Sequence, residues 1–236
     1  MAEPLVLIPG MMCDAHVFLP QIVAFSGTRP VHVAQITEHE TIEDIAESVL
    51  DTAPPKFALA GHGMGGIVAM EIVRRAPERL SRVALISTHA QAERPAQAAE
   101  REPQMVLAQS GRLAEVISQL VTADNLAAGP LQADVLALFQ HMAGSLGPDV
   151  FLRQSRALQR RPDQQKTLRI TRVPAFVICG RMDTINPVRR HEFMSELIPH
   201  GHLRIIEDAG HLPMIEAPEA TTAALNEWLT APFVLR

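Results

Sequence analysis

Residues 57–70 of the chain read FALAGHGMGGIVAM. A short apolar run is followed by a glycine-rich turn and then by apolar residues at helical spacing, which predicts a strand, a sharp turn and a helix. Gly63 stands at the apex of that turn, where the backbone must adopt a strained conformation. We expect glycine at positions 61, 65 and 66 because any Cβ there would collide with the apex or with the start of the helix.

This turn resembles the nucleophile elbow of the α/β-hydrolase superfamily in its Gly-His-Ser-Met-Gly-Gly form. In that elbow the apex is a serine whose oxygen attacks a carbonyl carbon. Residues 61–66 match the pattern except at the apex, where Gly63 has no side chain. The resemblance implies a carboxylesterase-like serine hydrolase for a small, apolar, ester-like substrate. It also implies that Gly63 occupies the nucleophile position, so that this form binds its substrate but scarcely turns it over.

Length and composition suit one α/β domain with an insertion, since the chain has 236 residues, of which 47% are hydrophobic and 20% charged. A net charge of −5 gives no basic surface for nucleic acid. We expect a cytoplasmic protein without a membrane segment, because an acidic N-terminus precedes an apolar run of only strand length. Two cysteines are too few for a disulfide framework. The glycines lack the spacing of a phosphate-binding loop, so no cofactor is expected.

The rest of the chain alternates predicted strands with predicted helices. Apolar runs predict strands at residues 4–9, 30–36, 82–87, 173–179 and 203–207, and helical spacing predicts helices at 16–26, 41–52, 67–76 and 218–229. This alternation is typical of a mostly parallel, doubly wound sheet flanked by helices, which is also the α/β-hydrolase fold. We assign residues 1–88 and 169–236 to this core.

Residues 89–168 have a different pattern, with no convincing strand. Helical spacing predicts four helices there, at residues 97–109, 112–120, 132–142 and 148–159. An all-helical insertion of this kind is similar to the cap of many α/β-hydrolases, which contacts the substrate and excludes water. The candidate substrate-contacting residues of this cap are Met105, Phe139, Met142 and Phe151.

Two further residues complete a catalytic pattern. Asp183 follows the predicted strand at residues 173–179, and His211 follows the one at 203–207. Both therefore lie at the carboxyl edge of the sheet, where open α/β sheets gather their functional groups. A serine nucleophile needs a base, and that base needs a carboxylate to orient it. The family's chain order of nucleophile, acid and histidine is matched by Gly63, Asp183 and His211.

An oxyanion hole is implied by the same resemblance. Its donors would be the backbone N–H groups of Met11, in the loop after the first strand, and of Met64, directly after the apex. Met12 adds to a methionine-rich mouth, which favours an apolar and adaptable pocket. His62 directly precedes the apex, and Ser87 ends the predicted strand at residues 82–87. Both are candidate pocket residues.

The glycine apex leaves three functional interpretations open. The chain is a serine hydrolase whose nucleophile has been replaced; or an enzyme that uses His211 and Asp183 directly as a general base, as a lyase or by activating water; or a non-catalytic protein that binds a small ligand. A retained pair of base and carboxylate counts against the third interpretation, because a binding site does not need it.

Other reactive side chains are expected to be structural. Cys13 lies near the oxyanion loop, but a small buried apolar role is favoured over that of a nucleophile. His200 and His202 have no third ligand at suitable spacing, so no metal site is expected. The sequence leaves the substrate and the oligomeric state open.

Overall fold

Six parallel strands form one central sheet in the computed structural model, which describes residues 2–232. Their order across the sheet is β2-β1-β3-β4-β5-β6. The strands are β1 (Leu5–Ile8), β2 (Val31–Val33), β3 (Phe57–His62), β4 (Leu80–Ile86), β5 (Ala175–Gly180) and β6 (Gly201–Ile206). Every neighbouring pair is parallel, which confirms the predicted doubly wound sheet.

Helices connect the strands and cover both faces of the sheet. They are α1 (Leu19–Ser26), α2 (Ile42–Thr52), α3 (Met64–Arg75), α4 (Pro95–Gln109), α5 (Leu113–Leu120), α6 (Gln132–Gln159), α7 (Gln165–Ile170), α8 (Val188–Leu197), α9 (Pro213–Glu216) and α10 (Pro218–Thr230). Three short 3₁₀ turns lie at Ala15–Phe18, Pro77–Arg79 and Ala123–Asn125. None of the helices within residues 2–232 has the length and apolar character needed to cross a membrane.

The core divides into two apolar clusters, one on each face of the sheet. Alternate residues of β1 enter different clusters: Leu5 packs in the cluster that contains Trp228, whereas Val6 packs in the cluster that contains Ile45. Successive side chains of a strand point to opposite faces, so the sheet is buried on both sides. The central strands β3, β4 and β5 are accordingly buried along their whole length, as their continuous apolar runs predict.

Only helices lie between β4 and β5 in the described chain, as the sequence predicts for this region. Helical geometry within α6 is broken at Gly147, with φ 80° and ψ 176°, so α6 consists of two helical parts at the positions of the helices predicted at 132–142 and 148–159. Pro148 directly after the kink cannot donate a backbone hydrogen bond, which explains the break in helical geometry. Three helices, α7, α8 and the short α9, lie where no helix is predicted.

Candidate active site

Gly63 forms the sharp turn between β3 and α3, with φ 53° and ψ −116°. Its amide donates to the carbonyl of Ile86 at 2.9 Å, and its carbonyl accepts from Oγ1 of Thr88 at 2.7 Å. Both partners lie at or just beyond the end of the neighbouring strand β4. The unusual backbone conformation is therefore held by hydrogen bonds on both sides of the apex.

The glycines around the apex allow the chain to pass very close to itself. A Cβ on Gly61 would lie 2.2 Å from the carbonyl oxygen of Gly65, at the start of α3, which is the collision expected there. At Gly65, by contrast, a Cβ would strike the carbonyl oxygen of Ile8, also at 2.2 Å, so this glycine gives room to β1 rather than to the apex. Gly66 likewise gives room to the side chain of Thr88.

Asp183 and His211 are hydrogen-bonded to each other at the same edge of the sheet. Nδ1 of His211 lies 3.0 Å from Oδ2 of Asp183, and both side chains are buried. The other carboxylate oxygen, Oδ1, accepts from the amides of Ile185 and Asn186 at 2.9 and 2.8 Å. The carboxylate is thus fixed by its own loop and is available to orient the imidazole.

The charges of the pair reinforce each other. Burial alone would raise the pKa of Asp183, but the charge and hydrogen bond of His211, with the amide of Asn186, lower it. Burial alone would lower the pKa of His211, but the charge and hydrogen bond of Asp183 raise it. Asp183 is therefore ionised at neutral pH, and His211 is a stronger base than a buried imidazole without a partner.

Glu216 fixes the loop that carries His211. Its carboxylate accepts from the amides of Gly210 and Leu212, which flank His211, at 2.8 and 2.7 Å. It also accepts at 2.7 Å from the amide of Ala127, in the helical insertion. Burial raises the pKa of Glu216 despite these bonds. One carboxylate therefore joins the histidine loop to the insertion.

His211 faces the apex of the elbow on its other side. A Cβ placed on Gly63 would lie 3.9 Å from Nε2 of His211 and 3.7 Å from Cα of Gly10, which are ordinary van der Waals distances. A side chain on residue 63 would therefore fit and would point at the ring nitrogen that Asp183 leaves free.

The loop after β1 lies close to the apex. Met11 lines the cavity in front of Gly63, whereas Met12 is fully buried and does not line it. The amide of Met12 donates to Oε1 of Gln154 in α6 at 2.8 Å, and Met12 has a φ of 55°. This bond occupies the Met12 N–H and fixes the position of Met11. Met64 is the first residue of α3, so its amide has no acceptor one helical turn earlier.

His62 packs against His211 with ring centroids 5.1 Å apart. Its Nε2 lies 2.9 Å from the carbonyl oxygen of His211, which can only accept, so His62 carries its proton on Nε2. Burial and the nearby charge of His211 lower the pKa of His62 to about 3. His62 is thus a neutral donor that supports the histidine loop, and it also lines the cavity.

A cavity of about 250 Å³ opens in front of Gly63 and His211. The predicted oxyanion donors Met11 and Met64 line it, as do His62 and Phe139 among the candidate substrate-contacting residues. The other candidate substrate-contacting residues do not line the cavity; they are Met12, Ser87, Met105, Met142 and Phe151. Met105, Met142 and Phe151 pack in the apolar core on one side of the sheet, and Ser87 is fully buried, with a φ of 45°. Helical spacing identified these three apolar residues as buried, but it could not separate core packing from contact with a cavity.

The cavity wall is also more polar than the methionine-rich mouth predicts. Arg101 and Arg161 both form ion pairs with the buried carboxylate of Glu93, the first at 3.1 Å. Arg190, His89, Gln97, Thr88 and Asn186 line the wall as well. Sequence reasoning missed all of these residues. A usable signal was the spacing of Gln97 and Arg101, four residues apart, which places both on one face of α4, whereas Glu93 precedes that helix.

The cysteines are not activated. Cys13 lines the cavity, but burial raises the pKa of its thiol to about 12, so it is not a thiolate at neutral pH. Burial also raises the pKa of Cys179 to about 12. In the part of the chain that the structure describes, no three His, Cys, Asp or Glu side chains are grouped to hold a metal ion.

Comparison with known proteins adds to this geometry. Residues 5–225 match the sequence profile of a family described as "Alpha/beta hydrolase family". The pimeloyl-[acyl-carrier protein] methyl ester esterase of Hamiltonella defensa is 27% identical over 190 residues, which cover 77% of this chain and 72% of that protein.

Solved structures are similar over nearly the whole chain. A thermophilic esterase from Thermogutta terrifontis, with malate bound, is 25% identical with a TM-score of 0.86, over 97% of this chain and 90% of that one. The enol-lactonase of Burkholderia xenovorans LB400 is 21% identical with a TM-score of 0.85, over 98% and 92% of the two chains.

Proposed function

Because the chain belongs to the α/β-hydrolase family, we propose that the cavity in front of Gly63 is an esterase-type active site in which Gly63 holds the position of the nucleophile. The bond acted upon is a carboxylic ester or a related acyl bond. His211 is the base and later the acid, and Asp183 orients its ring and stabilises its cation. The amides of Met11 and Met64 are the donors to the oxyanion.

One observation carries this proposal. A Cβ on Gly63 would stand 3.9 Å from Nε2 of His211 without a steric clash, so a hydroxyl on that carbon could reach hydrogen-bond distance of the base. The hydrogen bond between Asp183 and His211 supports the proposal, because the carboxylate binds Nδ1 and leaves Nε2 directed towards residue 63. The esterases among the similar proteins agree with this chemistry.

The glycine has a predictable kinetic consequence. Removing the serine of a serine hydrolase lowers turnover by about 10⁶-fold, whereas the oxyanion hole and the pocket retain about 10³-fold over water. We infer that the chain with Gly63 binds its substrate and turns it over slowly. The acyl group of the substrate would contact the apolar part of the cavity wall, which is formed by Met11, Met64 and Phe139.

Residues 89–168 would serve as the cap of this site. Arg101, Phe139 and Arg161 of that segment line the cavity. The segment is also fixed to the catalytic loops, because the carbonyl of Asn125 accepts from the amide of His211 at 2.8 Å and Nδ2 of Asn125 donates to Oγ1 of Thr184 at 2.8 Å. A cap fixed in this way would limit the access of water to the acyl group.

The test restores a hydroxyl at the apex. Gly63→Ser should hydrolyse a chromogenic short-chain aryl ester at least about 10³-fold faster than the unaltered chain, and a serine-directed phosphonate should abolish that activity. Gly63→Ala is the matched control, because it adds the same Cβ without the oxygen, and it should stay inactive. Equal rates for the serine and alanine variants would contradict the proposal.

A second candidate function follows from the intact pair of Asp183 and His211. The pair could remove a proton from a water molecule placed beside Nε2, and the resulting hydroxide would attack the acyl carbonyl directly. The alkoxide would leave with the proton from His211. In that case the unaltered chain would already hydrolyse the ester, His211→Ala would remove the activity, and Gly63→Ser would not increase it.

A further inference from the structure

A second cavity, of about 640 Å³, adjoins the one in front of Gly63. The two share four lining residues, and we call the two cavities together the substrate groove. The shared residues are His89, Glu93, Gln97 and Arg190. A ligand longer than a simple ester could therefore extend from His211 past Arg190 into the second cavity.

The groove is rich in positive charge although the chain is acidic. Five arginines line it, against only two carboxylates, in a protein whose net charge is −5. The arginines are Arg94, Arg101, Arg161, Arg189 and Arg190, and the carboxylates belong to Glu93 and Asp163. The local potential therefore favours an anion, against the charge of the molecule as a whole.

The two carboxylates are already engaged. Glu93 is paired with Arg101 and Arg161. Asp163 accepts from the amide and the side chain of Gln165, at 3.0 and 2.8 Å. Within residues 2–232, neither these two carboxylates nor any other forms an ion pair with Arg94, Arg189 or Arg190.

Arg190 lies where the two cavities meet. Its Nη1 donates to Oδ1 of Asn186 at 3.2 Å, which holds the guanidinium beside the loop of Asp183. Burial and the charges of Arg94 and Arg189 lower the pKa of Arg190, and burial with the charges of Arg161 and Arg190 lowers the pKa of His89 to about 3. The negative charge of Asp183 offsets part of this effect at Arg190, but within the described residues no carboxylate forms an ion pair with that guanidinium.

We propose that the substrate groove binds an oxyanion, either a carboxylate or a phosphate, at the end of the substrate remote from the ester, with Arg190 as the main contact. Arg94 and Arg189 flank it from the second cavity. A planar guanidinium matches both oxyanions with paired hydrogen bonds. The inference rests on the proposed function, because it identifies the substrate of that site as an ester that also bears an anionic group.

The test measures binding to the unaltered chain, whose glycine apex keeps turnover low. Monomethyl adipate, dimethyl adipate and a methyl ester that carries a phosphate would be titrated by calorimetry. We expect one of the two anionic esters to bind at least about tenfold more tightly than the neutral diester, and the tighter of the two identifies the oxyanion. The preference should decrease with salt.

Variants show which arginine is responsible. Arg190→Gln should remove the preference for the anionic ester. The double variant Arg94→Gln with Arg189→Gln should reduce that preference without affecting folding, because both side chains are exposed. Arg172→Gln makes the same change in charge outside the groove and should leave the preference intact. Equal binding of all three esters, or equal effects of Arg190→Gln and Arg172→Gln, would overturn the inference. Failure of the proposed function would be detected by a different experiment, in which the Gly63→Ser variant hydrolyses no ester.

Discussion

Nε2 of His211 faces Gly63 across the space of a single side chain: a Cβ on Gly63 would lie 3.9 Å from that nitrogen. Nδ1 of the same ring is bound to Asp183 at 3.0 Å. Gly63 differs in this from Gly61 and Gly65, where a Cβ would come within 2.2 Å of a backbone oxygen. Substitutions at Gly63 can therefore test the chemistry of the site without forcing the elbow apart.

Gly63→Ala should destabilise the protein, although the methyl group has space. The φ of 53° at this position is one that residues with a Cβ rarely adopt, and holding it costs about 1–3 kcal/mol. Urea denaturation would measure the change in the free energy of unfolding. Gly129→Ala is the control, because a Cβ there meets nothing within 4 Å and the backbone is not in the left-handed region. A Gly63→Ala variant as stable as that control would contradict the prediction.

Activity of the Gly63→Ser variant should depend on pH through His211. Burial lowers the pKa of this residue, but the charge and hydrogen bond of Asp183 outweigh burial and raise it above 6.5. Only the neutral ring can accept the proton, so kcat/KM should be full above this pKa and should fall as the pH decreases through it. Initial rates with an aryl ester between about pH 5 and 8 would show the inflection.

Replacement of Asp183 gives the matched test of that profile. In the Gly63→Ser background, Asp183→Asn removes the charge and the charged hydrogen bond that do most to raise the pKa of His211 and leaves only the smaller effect of Glu216, so the inflection should move to lower pH. The rate should also fall by about 10⁴-fold, because asparagine favours the wrong tautomer of the ring. An unchanged inflection would show that Asp183 does not control His211.

The elbow and the pair of Asp183 and His211 are predictable from sequence because each depends on a short local pattern. The strand, the glycines and the helix around Gly63 follow from spacing within fourteen residues. Asp183 and His211 each follow a predicted strand, and parallel strands bring their carboxyl ends to one edge of the sheet. The topology therefore places these groups together before any contact is known.

The groove could not be predicted in the same way. Glu93 and Arg161 are 68 residues apart and meet only because the segment after α6 and the segment before α4 pack together. Gln154 reaches Met12 across 142 residues. The same limitation applies to Met105, Met142 and Phe151, which share the helical pattern of Phe139 but pack in the core while Phe139 reaches the cavity. Such contacts depend on the packing of distant segments, which periodicity does not encode.

Gln154 should control the position of Met11, whose amide is a proposed oxyanion donor. Its Oε1 accepts from the amide of Met12 at 2.8 Å, and its Nε2 donates to the carbonyl of Ile36 at 3.1 Å. Gln154→Met removes both bonds and leaves a buried amide without an acceptor, which costs about 1–3 kcal/mol. In the Gly63→Ser background it should lower kcat more than it raises KM, because the donor acts mainly in the transition state.

Gln154→Glu separates the two bonds, since a carboxylate keeps the acceptor for Met12 but cannot donate to Ile36. We expect kcat to lie closer to that of the Gly63→Ser parent than to that of the methionine variant. Equal loss of kcat in both variants would show that the bond to Met12 is not what matters.

Glu216 should hold His211 in place without touching the substrate. Its carboxylate accepts from three amides, those of Ala127, Gly210 and Leu212, and two of these flank His211. In Glu216→Gln one acceptor oxygen becomes an NH₂ group, which turns a donor towards a backbone N–H. The unpaired amide should cost about 1–3 kcal/mol of stability and lower kcat in the Gly63→Ser background. The control is Glu219→Gln, which changes an exposed carboxylate three residues away. Equal stability and kcat in these two variants would mean that the loop of His211 keeps its position without Glu216.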